Sequence, residues 1–127
     1  MQDRPLTGKV AIVTGAGSPI GLGRAMTLAL VRAGARVAML DVSEAWLEQT
    51  ANDVQEVGGD SCVLTQVCDV SDPDSAEEAV RKTIAGLGGL RILINNAGIH
   101  LSAGNIPLQD PDLVKWRRLL DVNVTAA

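Results

Sequence analysis

The chain has 127 residues, enough for one domain with a real core, and its charge is mixed and mildly acidic, 15 Asp and Glu against 11 Lys and Arg. No basic run exceeds two residues and no apolar run approaches the ~20 needed to cross a bilayer, so nucleic acid and membrane are not expected partners. The polar start, Met1 to Pro5, does not resemble a secretory signal, which makes the cytoplasm the expected location.

Residues 9–14 form a short apolar run that ends at glycines and predict a buried parallel strand. A helix follows over 23–33, apolar on several faces and closed by Gly34. Residues 36–41 predict the second strand. Ser43 is placed to cap a helix over 43–57, with Leu47, Ala51 and Val54 on its inner face and Gly58 and Gly59 at its end. Residues 61–68 predict a third strand, and Asp72 with Pro73 opens a helix on which Ala76, Ala79, Val80, Thr83, Ile84 and Leu87 share the apolar face. Residues 91–95 predict the fourth strand. A long loop over 99–110 precedes a last helix beginning near Pro111.

This alternation implies an α/β fold, a doubly wound parallel sheet of Rossmann type with strand order 3-2-1-4 and helices on both faces. Ligands of such sheets bind beyond the carboxyl ends of the strands. Cys62 and Cys68, if both lie on strand three, sit roughly 20 Å apart, beyond the ~7 Å reach of a disulfide, and are expected reduced. His100 is the only histidine, so no metal site is expected.

The residues that carry chemistry fall at strand ends. The turn from Thr14 to Gly23 is glycine-rich and lies between a strand and a helix, where backbone N–H groups can meet a pyrophosphate. On its own such a turn is a weak signal, since an ordinary flexible connection also accounts for it. Asp41 ends the second strand, where a carboxylate accepts hydrogen bonds from an adenosine ribose and repels a 2′-phosphate, favouring NAD over NADP. Asp69-Val70 and Asn95-Asn96-Ala97-Gly98 end the third and fourth strands, and Asn95 reads as a side chain pinning neighbouring strands.

Together the segments VTG…GLGRA, the Asp41 strand end, CDV, ILINNAG and WRRLLDVNV resemble the short-chain dehydrogenase/reductase family over essentially the whole chain. The resemblance implies that Gly15, Ser18, Gly21, Leu22 and Asp41 line the pyrophosphate and ribose of NAD. It implies that Asp69 and Val70 hold the adenine, and that Asn96, Ala97 and Gly98 approach the nicotinamide ribose. Asn123 matches the asparagine of the family's catalytic Asn-Ser-Tyr-Lys set, with the implied role of holding a water in a proton relay. The implied reaction is hydride transfer between NAD(H) and a small alcohol or carbonyl substrate, in a complete protein that forms a homo-oligomer.

Two departures from the family pattern stand out. Thr14-Gly15 and Gly21-Leu22-Gly23 are separated by AGSPI, two residues more than the family's TGxxxGxG, which leaves the roles of Ser18 and Pro19 open. The chain also contains no tyrosine, so the family's serine and Tyr-x-x-x-Lys pair are expected after residue 127, with the catalytic half absent from residues 1–127. A small nucleotide-binding module without catalysis is the alternative. A methyltransferase-like fold shares the glycine turn and acidic strand end but not NNAG or DVN.

Overall fold

The computed structural model describes residues 3–99 and 112–127. Four strands, β1 (Val10–Thr14), β2 (Arg36–Asp41), β3 (Val63–Val67) and β4 (Ile92–Ile94), pair in parallel in the order β3-β2-β1-β4. The helices between them are α1 (Leu22–Arg32), α2 (Glu44–Gly58) and α3 (Pro73–Leu87). Helix α4 (Leu113–Leu120) runs into a π-helical stretch, Asp121–Thr125. Residues 100–111, which contain His100 and most of the predicted long loop, lie outside the described residues.

The continuous apolar runs of β1 and β2 are explained by burial on both faces. Ala11, Val13, Val37 and Met39 point to one side, where Leu28 and Val31 of α1 and Leu47, Ala51 and Val54 of α2 complete a core. Val10, Ile12, Ala38 and Leu40 point to the other, against Ala79 and Leu87 of α3. Registers such as Val13 with Met39 and with Ile94 bring all strand ends to one level.

The predicted caps form. Ser43 Oγ accepts the Trp46 amide at 3.2 Å, Asp72 accepts the Asp74 amide at 3.0 Å with Pro73 in the first turn, and Gly34 takes φ +101° just after α1.

Two sequence expectations need correction. The third strand begins at Val63, because Asp60–Cys62 form a 3-10 turn after Gly59, which takes φ +86°. Cys62 consequently enters the α1/α2 core while Cys68, just past β3, enters the α3 core. The two free, buried thiols stand on opposite faces of the sheet, and burial pushes both pKa values up. On α3, only Ala79, Thr83 and Leu87 of the predicted row are buried. Ile84 is 48% exposed, because no described element packs over that flank.

The sheet is therefore covered unevenly. Two helices pack one face, whereas α3 and Val122 cover the other only in part, leaving Leu93 at 58% exposure on an edge strand unpaired on its outer side among the described residues. On α4, Leu113, Val114, Trp116 and Leu120 are exposed as well. An open strand edge beside apolar surface templates association. The 127-residue chain is expected to self-associate at micromolar concentration in sedimentation velocity. A monomer melting cooperatively at ~45–65 °C would contradict that expectation.

Candidate active site

The glycine turn is shaped by close backbone packing. Gly15 takes φ +62°, and a Cβ there would lie 2.9 Å from the Ala97 Cα. A Cβ on Gly23 would lie 2.4 Å from the Gly15 carbonyl oxygen, so α1 rests directly on the turn. Gly17 touches Asp41, its amide donating to Asp41 Oδ2 at 2.9 Å while its carbonyl accepts from Thr50 Oγ1 at 2.6 Å. Within the turn the chain folds back on itself. The Gly21 amide closes back onto the Ser18 carbonyl at 3.2 Å, and Ile20 swings out to 96% exposure. Gly21 caps α1 without a side-chain acceptor, which leaves the helix's first amides available to an anion or solvent.

Asp41 is held in place by the fold. Its Oδ1 accepts from the Ser43 amide at 3.1 Å and its Oδ2 from Gly17, so the carboxylate sits half-buried between β2 and the turn. Each oxygen retains a further lone-pair direction.

The fourth strand end is clipped to the first by Thr14 and Asn96. The Thr14 hydroxyl accepts from the Asn96 and Ala97 amides at 3.0 and 2.9 Å. Asn96 Nδ2 donates to the carbonyls of Thr14 and Gly15 at 3.2 and 3.1 Å. The pinning expected of Asn95 is thus done by Asn96, because successive side chains of an extended segment point to opposite sides. Asn95 instead lines an apolar hollow with Ile12, Val80, Leu93 and Val122, on the incompletely covered face.

Beyond β3, Asp69 Oδ1 accepts from the Ser71 amide at 3.0 Å and hydroxyl at 2.6 Å. Arg118 of α4 reaches across to Asp69 Oδ2 at 3.1 Å and donates a second hydrogen bond to Ser71 Oγ. The Ser71 hydroxyl holds the Asp69 carboxyl below the usual carboxylate range; burial opposes it less strongly, and the Ser71 amide and then Arg118 add to the lowering.

These strand ends surround one cleft of about 310 Å³, near the lower end of the ~300–1,000 Å³ common for small-molecule sites. Gly15, Ser18, Asp41, Asp69, Val70, Asn96, Ala97 and Gly98 line it, together with Val42, Trp46, Ile99 and Arg118. Gly21 and Leu22 do not. Gly21 stands at the head of α1, and Leu22 is 75% exposed on its first turn. Asn123 lies at the cleft's edge inside the π-helical stretch, a distortion frequent at functional sites. Its amide group is closed on the Ile99 backbone, accepting from the N–H at 2.8 Å and donating to the carbonyl at 2.7 Å. The side chain thereby ties the last helical segment to the β4 loop.

The sequence assigned no individual role to Thr14, Gly17, Gly23, Trp46 or Arg118. The glycines stand inside the quoted turn, so their spacing was a signal. Arg118 stands inside the quoted WRRLLDVNV segment, but nothing there pairs it with Asp69, 49 residues away. Among the described residues, no helix is long and apolar enough to cross a membrane, and no group of three or more His, Cys, Asp or Glu could hold a metal ion.

The comparisons agree with this geometry. The family model described as short chain dehydrogenase matches residues 9–127. An uncharacterized short-chain type dehydrogenase/reductase of Sinorhizobium fredii is 36% identical over 94% of the chain and 46% of its own length. A 2,5-dichloro-2,5-cyclohexadiene-1,4-diol dehydrogenase of Sphingobium indicum is 38% identical over 94% of the chain and 44% of its own length. A short-chain type dehydrogenase/reductase from Mycobacterium marinum superposes with a TM-score of 0.85 at 35% identity, covering 95% of this chain and 46% of that one. The structure of an NAD+-bound xylitol dehydrogenase gives a TM-score of 0.85 at 33% identity over 96% and 45%. The chain spans about half the length of these relatives. By sequence match, strand order and site geometry together, the chain belongs to the short-chain dehydrogenase family.

Proposed function

We propose that the chain is the dinucleotide-binding part of an NAD-dependent oxidoreductase acting on a small alcohol or its carbonyl counterpart. The observation that carries this reading is the Asp41 carboxylate, anchored by the Gly17 and Ser43 amides and facing the same cleft as the glycine turn. The donor set fits the cofactor's parts. Gly15 and Ser18 with the uncapped head of α1 suit a pyrophosphate, Asp41 a ribose diol, Val70 and Asp69 an adenine, and Ala97 and Gly98 the second ribose. When bound, the nicotinamide supplies the hydride acceptor or donor. The chain's own residues bind and orient it, and Asn123 holds the β4 loop at the cleft's edge through Ile99. Its place in a proton relay and a homo-oligomeric, cytoplasmic complete protein belong to the same proposal. The names of the diol and xylitol dehydrogenases support a hydroxylated substrate.

NAD is expected to bind at least about fivefold more tightly than NADP, since a carboxylate about 4 Å from a 2′-phosphate costs on the order of 1 kcal/mol even in water. Trp46 lines the cleft, so its fluorescence can follow both titrations. Asp41→Ala should narrow the gap mainly by weakening NAD. Tighter binding of NADP than NAD by the unaltered chain would refute the assignment of Asp41.

The alternative is a nucleotide-binding module without catalysis. The 127-residue chain is expected to show no alcohol oxidation with NAD. Turnover at ~1–10³ per second, typical of enzymes, would mean that a group other than tyrosine moves the proton.

A further inference from the structure

We propose that Arg118 is a positioning residue for recognition of the adenine base, acting through Asp69. This inference rests on the dinucleotide reading above and adds to it a residue in the last helix, far in sequence from the strand ends.

Asp69, Ser71 and Arg118 form a closed triangle. The Ser71 hydroxyl donates to Asp69 Oδ1 and accepts from Arg118, and Arg118 donates to Asp69 Oδ2 at 3.1 Å. With the Ser71 amide also on Oδ1, one carboxylate oxygen is fully engaged and the other keeps a free lone-pair direction. The carboxylate is thus fixed as an acceptor with one lone-pair direction left over, and Asp69 lines the cleft together with Val70. An amino group, such as the exocyclic amine of adenine, can donate along that direction. A carbonyl oxygen in the same position would face a fixed negative charge.

Stability alone does not account for this arrangement. The Arg118 and Asp69 side chains are 46% and 39% exposed, and ion pairs at such exposure contribute little, typically below about 1 kcal/mol. What the guanidinium does well is geometric, since its planar fork binds two acceptors at fixed separation. Lysine cannot reproduce that fork. In the triangle, Arg118 fixes which way the Asp69 carboxylate turns, and so turns an exposed acid into a reader of the base.

The test compares NAD with nicotinamide hypoxanthine dinucleotide, in which a carbonyl replaces the adenine amine, by fluorescence or calorimetric titration. The unaltered chain should prefer NAD. Arg118→Ala should weaken NAD about fivefold or more while changing the hypoxanthine analogue little, so that discrimination collapses. Arg118→Lys should recover only part of it. Ser71→Ala, which breaks the triangle at another corner, should act in the same direction and serves if Arg118→Ala fails to give the native circular dichroism spectrum. Equal weakening of both nucleotides would show a merely structural role and overturn the proposal, as would unchanged NAD binding or an unaltered chain that binds both analogues equally. A folded chain that binds neither nucleotide would sink the dinucleotide reading itself, and this inference with it.

Discussion

Gly23→Ala is expected to destabilise the chain by about 2–3 kcal/mol, lowering the melting temperature by on the order of 10 °C, and to abolish nucleotide binding. The added Cβ would stand 2.4 Å from the Gly15 carbonyl oxygen and 2.8 Å from the Ala16 Cα, both backbone atoms. No rotamer change relieves such a clash. Either α1 lifts from the turn or the turn itself shifts, and both movements displace the amides at the head of α1 from the cleft. Gly89→Ala is the control, because a Cβ there meets nothing within 4 Å and the backbone is not left-handed. Its effect should stay within about 0.5 kcal/mol. Thermal melting of the two variants checks the pair.

Thr14→Val should cost about 2 kcal/mol, although valine matches threonine closely in shape. The Thr14 side chain is buried at the end of β1, and its hydroxyl is the acceptor for the Ala97 amide at 2.9 Å. The Asn96 amide has a second acceptor in the Ile94 carbonyl at 3.1 Å, so Ala97 is the group left without a partner. Ala97 is half-buried, so its unsatisfied donor costs toward the lower end of ~1–3 kcal/mol, to which the lost Thr14 hydroxyl bond to the Ile94 carbonyl at 3.4 Å adds. Thr14→Ser keeps the hydroxyl and should cost only about 1 kcal/mol for the lost methyl group. The variants should also separate in binding, with valine loosening the Ala97-Gly98 wall of the cleft and serine preserving it. Equal melting temperatures for the two would show that the hydroxyl clip is not what joins β4 to β1.

The strand order and the caps were legible in the sequence because they follow from local rules. The apolar runs of β1 and β2 carry burial on two faces, and Asp72-Pro73 and Ser43 announce their helices. Val80 and Ile84 were misread because periodicity reports which side of a helix is apolar, whereas burial depends on what packs against it. The start of β3 was misread because a 3-10 turn inside an apolar stretch leaves no period-2 signature. In the cleft, residues tied to a glycine or acid at a strand end were found, while Arg118 and Trp46 were not. Their membership depends on how α4 and α2 are packed, which no short motif encodes. The pinning fell to Asn96 rather than Asn95 because one residue of register decides which side of the strand end an asparagine faces.

The cleft at the carboxyl ends of β1 to β4 is expected to take a dinucleotide. The most direct test is the amide nuclear magnetic resonance spectrum of the chain titrated with NAD. The amides of Gly15, Gly17, Ser18, Asp41, Val70, Ala97 and Gly98 should shift together along one saturable curve, while Arg36 and Gly88, at the opposite end of the sheet, stay in place. A folded chain whose cleft amides remain still at millimolar NAD, or whose shifts gather at the Arg36 and Gly88 end, would contradict the account.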